Sequence, residues 1–325
     1  MMPPYARGCI APTFSIFRSD LSFDPDGQRR FLDFLLDRGG ISAFFVRSGM
    51  GQMFTFGYED VQTMARTACS HLKGRAPVLV GTTGIWDRDR NKYPDPAIFV
   101  REAVELSRYA EEQGADGVVH TIPEAILPRA GQTEADVILE YFETVSAAVS
   151  IPTFIYQSPG TAEAYHVTHE LLIQLAEMPN MAGIKVSTAD AGYIATLCAA
   201  VHGRDFAYIT GNENAFYAGL CCGSTAVIGQ GAAMYPQMLN RMQELFEAGD
   251  AIGALMAQHA VYKLVVNSGN SVEFFKRYAT EHGYPVDGYA RPMVGVDYTK
   301  AIGNVSDEQY ASYKRLLEDE LAPYL

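Results

Sequence analysis

The sequence predicts an α/β fold, a (β/α)8 TIM barrel with an appended C-terminal helical subdomain. Three observations carry that prediction. Short apolar runs alternate with amphipathic stretches eight times in about 230 residues, the size and rhythm of a barrel. No G-x-G-x-x-G follows the first apolar run, which counts against the runner-up, a doubly wound sheet. Beyond the eighth run the pattern is largely helical from about Pro236 to Leu321, more than one closing helix requires. The division expected is 1–235 for the barrel core. Residues 236–325 would supply the last barrel helix and a helical subdomain packed on the barrel, since no low-complexity linker separates the two.

The units are read in order. Gly8 to Phe14 is the first strand; a helix follows from Asp24, an N-cap type residue before Pro25, through Phe31, Leu32, Phe34 and Leu35. Ser42 to Val46 is the second strand, followed by a glycine-containing loop and a helix from about Tyr58 to Leu72. Pro77 to Val80 precedes a helix from about Pro96 to Gln113, and Gly117 to His120 precedes one from about Gln132 to Val149. Pro152 to Tyr156 is the fifth strand, with a helix near His169 to Ala176. Met181 to Val186 is the sixth, with a helix from Ala189 to Val201. Phe206 to Ile209 and a short helix near Ala215 to Leu220 lead to the eighth strand, Thr225 to Ile228.

Composition narrows the class of protein. With 48% hydrophobic residues in 325, the chain can bury a sizeable core. A net charge of −13 argues against a nucleic-acid partner, whose phosphates it would repel. Five cysteines (Cys9, Cys69, Cys198, Cys221 and Cys222), odd in number and without a CxxC pair, suit a reduced compartment. Met1 to Tyr5 lacks a signal-peptide pattern, and no apolar run has the roughly 18 residues of a membrane helix. The expectation is a cytoplasmic protein with no membrane partner.

A barrel carries its chemistry at the carboxyl ends of its strands. The strand-end candidates are Arg47 to Gln52, Thr82 to Gly84, His120 to Glu124, Tyr156 to Gly160, Lys185 to Thr188, Gly211 to Asn214 and Gly229 to Gly231. Lys185 stands out, because a lysine near the end of a buried strand must pair or lose its proton, and an uncharged amine is a nucleophile toward ketones. The bland reading is a lysine that snorkels to solvent. Tyr156 ends the adjacent strand, within reach of that amine.

These residues resemble the pyruvate-dependent class I aldolases, the family of dihydrodipicolinate synthase and N-acetylneuraminate lyase, along nearly the whole chain. Gly183-Ile184-Lys185 is similar to its G-x-K Schiff-base lysine. Ile155 to Gly160 resembles its strand-end tyrosine and Pro-containing turn; Ser48 to Phe56 resembles its G-T-T-G-E carboxylate loop; Arg291-Pro292 resembles its C-terminal end. The resemblance implies a lyase that forms an imine between Lys185 and a 2-oxo acid, with Tyr156 moving protons. Backbone N–H groups of Gly49, Met50 and Gly51 would hold the carboxylate. Ser48, Gln52, Arg47, His120, Gly211, Glu213, Ile228 and Gln230 are the further substrate-contact candidates. Arg47 would bind a distal carboxylate or hydroxyl. No cofactor and no metal are implied, and a homo-oligomer, dimer or tetramer, is.

The departures steer the substrate. Gly49 and Met50 replace the hydroxyl residues of the loop, and Gln52 its glutamate. The synthase's neighbour-subunit tyrosine corresponds to Glu124 or Ala125, and its substrate-binding arginine to Thr161. Gly229-Gln230-Gly231 replaces the lyase's Gly-Ser-Thr. The loop Gly51 to Phe56 is nearer to 5-dehydro-4-deoxyglucarate dehydratases, so the expectation is aldol cleavage, condensation or dehydration of a 2-keto-3-deoxy acid. A dihydrodipicolinate synthase is disfavoured. A catalytically impaired sugar-acid-binding protein is the non-enzyme alternative, against which Lys185 and Tyr156 speak. Metal catalysis would need a convergent triad; His166 and His169 lie at a helix start, and His120 stands alone. The insertion Ile85 to Tyr93, with the only tryptophan, is a lid, a subunit contact or a solvated loop.

Overall fold

The computed structural model describes residues 2–294 and 305–325; the remainder of the expected helical subdomain, 295–304, and Met1 lie outside the described residues. Eight parallel strands close a barrel in chain order, β1 (Gly8–Pro12), β2 (Ile41–Val46), β3 (Val78–Gly81), β4 (Gly117–Thr121), β5 (Thr153–Gln157), β6 (Met181–Val186), β7 (Ala207–Thr210) and β8 (Ala226–Val227). Helices α1 (Pro25–Arg38), α2 (Tyr58–Leu72), α3 (Pro96–Glu112), α4 (Glu134–Ser146), α5 (His169–Glu177), α6 (Ala191–Val201) and α7 (Phe216–Cys222) run between them. After β8 come α8 (Gln230–Met234), α9 (Pro236–Glu247), α10 (Ala251–Asn267), α11 (Ser271–Glu281) and α12 (Asp307–Leu321). The short α8, directly after β8, has no apolar periodicity long enough to read from sequence.

Local chemistry sets the helix starts. Asp24 accepts from Asp26 N ahead of Pro25, Asp95 from Ala97 N ahead of Pro96, and Asp190 from Gly192 N. Each satisfies a donor that the first turn would otherwise leave free, worth about 1 kcal/mol. Thr133 and Asp136 form a reciprocal capping box, which starts α4 two residues later than the sequence suggested.

Strand alternation divides the wall into two faces. Ile10, Ala43, Phe45, Leu79, Val119, Phe154, Tyr156, Ile209 and Ile228 form one cluster inside the barrel. Their neighbours Phe44, Val46, Val80, Ile155, Ile184, Val186 and Tyr208 pack outward against the helices. The helices after β8 join the outer cluster with α1 and α2, through Met238, Leu239, Val261, Phe274, Phe275 and Leu317.

The segment around Tyr289 to Arg291 is fastened to the barrel mouth. Gln52 and the Arg291 backbone exchange two hydrogen bonds, Nε2 to O at 2.6 Å and N to Oε1 at 3.2 Å. The Arg291 guanidinium pairs with Asp60 and lies over Phe17, 4.6 Å from the ring centre. Lys276 of α11, 1% exposed, donates to Tyr289 O at 2.7 Å. Burial pushes the Lys276 amine down to about 7, opposed by Asp287.

That amine gives a test. Unfolded it titrates near 10.4, so between pH 7 and that value the unfolded chain holds a proton that the folded chain has released. Stability from this group therefore rises with pH across that window. The unfolding free energy of wild type relative to Lys276→Met should increase by about 2 kcal/mol from pH 7 to 9 in denaturant titrations. A constant difference would place the amine outside the window.

Candidate functional site

Register and alternation bring Lys185 and Tyr156 together. Tyr156 on β5 pairs with Lys185 on β6, and both side chains point inward because Ile155, Ile184 and Val186 face out. Lys185 is 5% exposed, and its Nζ lies 3.9 Å from the Tyr156 ring centre and 5.8 Å from that of Phe45. Among the described residues it forms no hydrogen bond or ion pair. The snorkelling reading does not hold; the amine is enclosed over an aromatic face.

The glycine loop after β2 meets the tyrosine. A Cβ on Gly49 would stand 2.6 Å from the Tyr156 hydroxyl, so the phenol occupies the space that a side chain there would need. The loop is pinned from β1's side. Ser48 Oγ donates to Thr13 O at 3.0 Å and accepts from Gly51 N at 3.1 Å, while Ser15 Oγ donates to Gly51 O at 2.6 Å. Gly51 N and Gln52 N bond inside the loop, whereas Gly49 N and Met50 N have no protein acceptor among the described residues. Two adjacent free amides beside the phenol are suited to a carboxylate.

The opposite rim carries Gly211, Glu213, Ile228 and Gln230. Gly211 N bonds Val186 O at 2.9 Å, and a Cβ there would come within 2.6 Å of that oxygen. Ile228 lines the barrel interior. Glu213 is 6% exposed and accepts from Gly231 N at 3.0 Å, at the start of α8. Burial raises its carboxyl above the usual range; the α8 amides and Lys185 pull it back. Gln230 opens α8 and is half-buried.

The insertion after β3 folds across one side of the mouth. Trp86 stacks on Tyr93 and donates to Lys92 O at 3.2 Å, which ties the loop to itself. Arg88 and Arg90 both grip Glu124 beyond β4, and reach Pro159 O and Gly160 O beyond β5 at 2.9 and 2.8 Å. From sequence, Glu124 was one of the strand-end candidates and, with Ala125, the counterpart of a replaced tyrosine. Its clamp on this loop depends on strand-end proximity that no local pattern records.

Residues 5–301 match the profile of the Dihydrodipicolinate synthetase family. The chain belongs to that family. Its members are lyases, and this chain is an enzyme of that class. It is 28% identical over 250 residues to YagE of Escherichia coli, provisionally named a 2-dehydro-3-deoxy-D-gluconate aldolase, covering 76% of each chain. It is 27% identical over 259 residues to the 4-hydroxy-tetrahydrodipicolinate synthase of Nitrosospira multiformis, covering 79% of each. The sialic acid aldolase of Ruminococcus gnavus shares the fold with a TM-score of 0.81 at 18% identity, over 99% of this chain and 100% of that one. The crystal structure of YagE with pyruvate superposes with a TM-score of 0.77 at 24% identity, over 97% of this chain and 98% of that one.

Several of the substrate contacts expected from the sequence fall elsewhere. Arg47 adopts φ 48° and turns back into the wall, 2% exposed. Its Nη1 donates to Gly81 O at 3.2 Å and Thr83 O at 2.7 Å, and burial lowers it to about 10. It bridges β2 to the end of β3 and offers no distal-carboxylate contact. His120 is an outward residue of β4, since Val119 faces in. Its Nε2 meets Thr82 Oγ1 and Ser107 Oγ at 3.1 Å and its Nδ1 meets Tyr141 OH at 2.9 Å. Burial, and then Arg47, push it down to about 3, so it is a neutral core residue. Gln52 spends its amide on Arg291. Ser48 is likewise consumed by the loop, and the Met50 side chain packs against the outer cluster, leaving only its amide for a ligand.

His120→Leu should therefore cost roughly 2–4 kcal/mol of unfolding free energy, because Thr82, Ser107 and Tyr141 lose their common partner. Denaturant melts and steady-state kinetics check this. A raised KM with unchanged stability would restore the substrate-contact reading.

Proposed function

We propose that this lyase acts on a 2-keto-3-deoxy acid through an imine on Lys185. The observation that carries the reading is the enclosed amine lying on the Tyr156 ring, with the phenol hydroxyl lodged against Gly49. A ketone at C2 would meet the Lys185 nitrogen, and its neighbouring carboxylate would accept from Gly49 N and Met50 N. Nζ adds to C2, water leaves, and the protonated imine becomes an electron sink.

Two outcomes share that intermediate. In aldol cleavage the C4 hydroxyl loses its proton, the C3–C4 bond breaks, and its electron pair enters the imine as an enamine while an aldehyde departs. The enamine takes a proton at C3, and hydrolysis returns pyruvate and the amine. In dehydration C3 loses a proton and the C4 hydroxyl leaves as water. Tyr156, whose ring lies against the amine, is the proton carrier in both. The aldolase name of YagE supports the substrate class. A dihydrodipicolinate synthase reading is weakened by Glu124, which is occupied by Arg88 and Arg90, and by Thr161, whose hydroxyl donates to Ser158 O at 2.8 Å.

The test combines borohydride trapping with kinetics. Wild type incubated with pyruvate and borohydride should gain one reduced pyruvyl group by intact mass, and Lys185→Ala none. Tyr156→Phe should lower kcat on 2-keto-3-deoxy acids by roughly 100- to 10,000-fold, the usual worth of a positioned proton carrier. An adduct on Lys185→Ala, or full turnover by Tyr156→Phe, would reject the assignment.

A further inference from the structure

We propose that Arg88, presented by the insertion between β3 and α3, reads a distal carboxylate on the substrate, making a 2-keto-3-deoxy diacid the preferred ligand. This deepens the imine reading and rests on it for the position of the other end of the substrate. Three observations carry it.

The first is placement. The Arg88 guanidinium lies 4.7 Å from the ring centre of Phe54, which packs against the barrel-interior cluster. Its Nη1 donates to Pro159 O, just beyond the strand that carries Tyr156. It therefore stands at the mouth, between the loops after β2 and β5. The second is charge. Arg88 and Arg90 share the single carboxylate of Glu124, so that cluster holds one positive charge in excess. Of the acids on the insertion, Asp89 is paired with Lys92, while Asp87 keeps its charge and forms no ion pair with Arg88 among the described residues. Asp89 also accepts from Asn91, and Asp87 caps the Asp89 amide. Glu124 and Pro159 take two of the five guanidinium donors, and the rest are available to a planar anion. The third is strain. Arg88 adopts φ 65°, a left-handed conformation that a non-glycine residue holds only where surrounding contacts impose it. Arg47, the sequence's candidate for this task, is buried on backbone carbonyls; Arg88 supplies the mouth with the guanidinium that Arg47 withholds.

The experiment compares two six-carbon probes that differ only at the far end, 2-oxoadipate and 2-oxohexanoate. Dissociation constants come from titration calorimetry on the full-length protein, with borohydride trapping in parallel. Wild type should prefer the diacid by roughly 10- to 100-fold, the worth of a charge-assisted pair. Arg88→Gln should bring the two affinities within about threefold, through loss of diacid affinity. Arg88→Lys, which keeps the charge without the fork, should retain an intermediate preference, and thermal melts confirm that each variant is folded. Equal affinities in wild type, or a preference that survives Arg88→Gln in folded protein, would overturn the proposal. A diacid preference without any trapped adduct would reject the imine and leave this contact standing. Adducts formed equally well from both probes would do the reverse.

Discussion

An amine enclosed in a barrel, with no acid paired to it among the described residues, is the constraint on which the candidate site depends. The faces of Tyr156 and Phe45 lie against the Lys185 amine. Its nitrogen is committed to no hydrogen-bond or ion-pair partner among the described residues. Glu213, whose carboxyl senses Lys185, is held by the start of α8.

Everything that frames this amine follows from the two-residue period of the strands. A single step along β4 decides that Val119 faces the interior and His120 faces the helices. The same step on β5 and β6 aims Tyr156 and Lys185 inward. The glycine at position 49 then follows from the phenol, whose oxygen fills the side-chain space. Helix packing and the proposed chemistry use opposite faces of the same short strands. This is why a histidine and a lysine, each at a strand end, have such different surroundings.

The sequence made the barrel legible because buried parallel strands are short, apolar and evenly spaced. It made Lys185 and Tyr156 legible because they are polar residues at the ends of adjacent runs. It misled at Arg47, where a left-handed backbone angle breaks the alternation that would have turned the side chain inward. It misled at His120 because strand parity must be known to a single residue, finer than apolar patterning alone resolves. Gln52 was read as part of a ligand loop, yet its partner is the Arg291 backbone, 239 residues away in sequence. The same holds for Glu124, Arg88 and Arg90, whose meeting is a property of neighbouring loops above a closed barrel and of no local motif.

The central claim is that Lys185 Nζ takes the ketone carbon while the Gly49 and Met50 amides take the carboxylate. A crystal structure of the protein reduced with borohydride in pyruvate tests both halves at once. The account predicts continuous density from Lys185 Nζ to the pyruvyl C2, with the carboxylate oxygens within hydrogen-bond distance of Gly49 N and Met50 N and the Tyr156 hydroxyl beside the new bond. Density on another lysine such as Lys276, or a carboxylate turned away from the glycine loop toward the opposite rim, would contradict it.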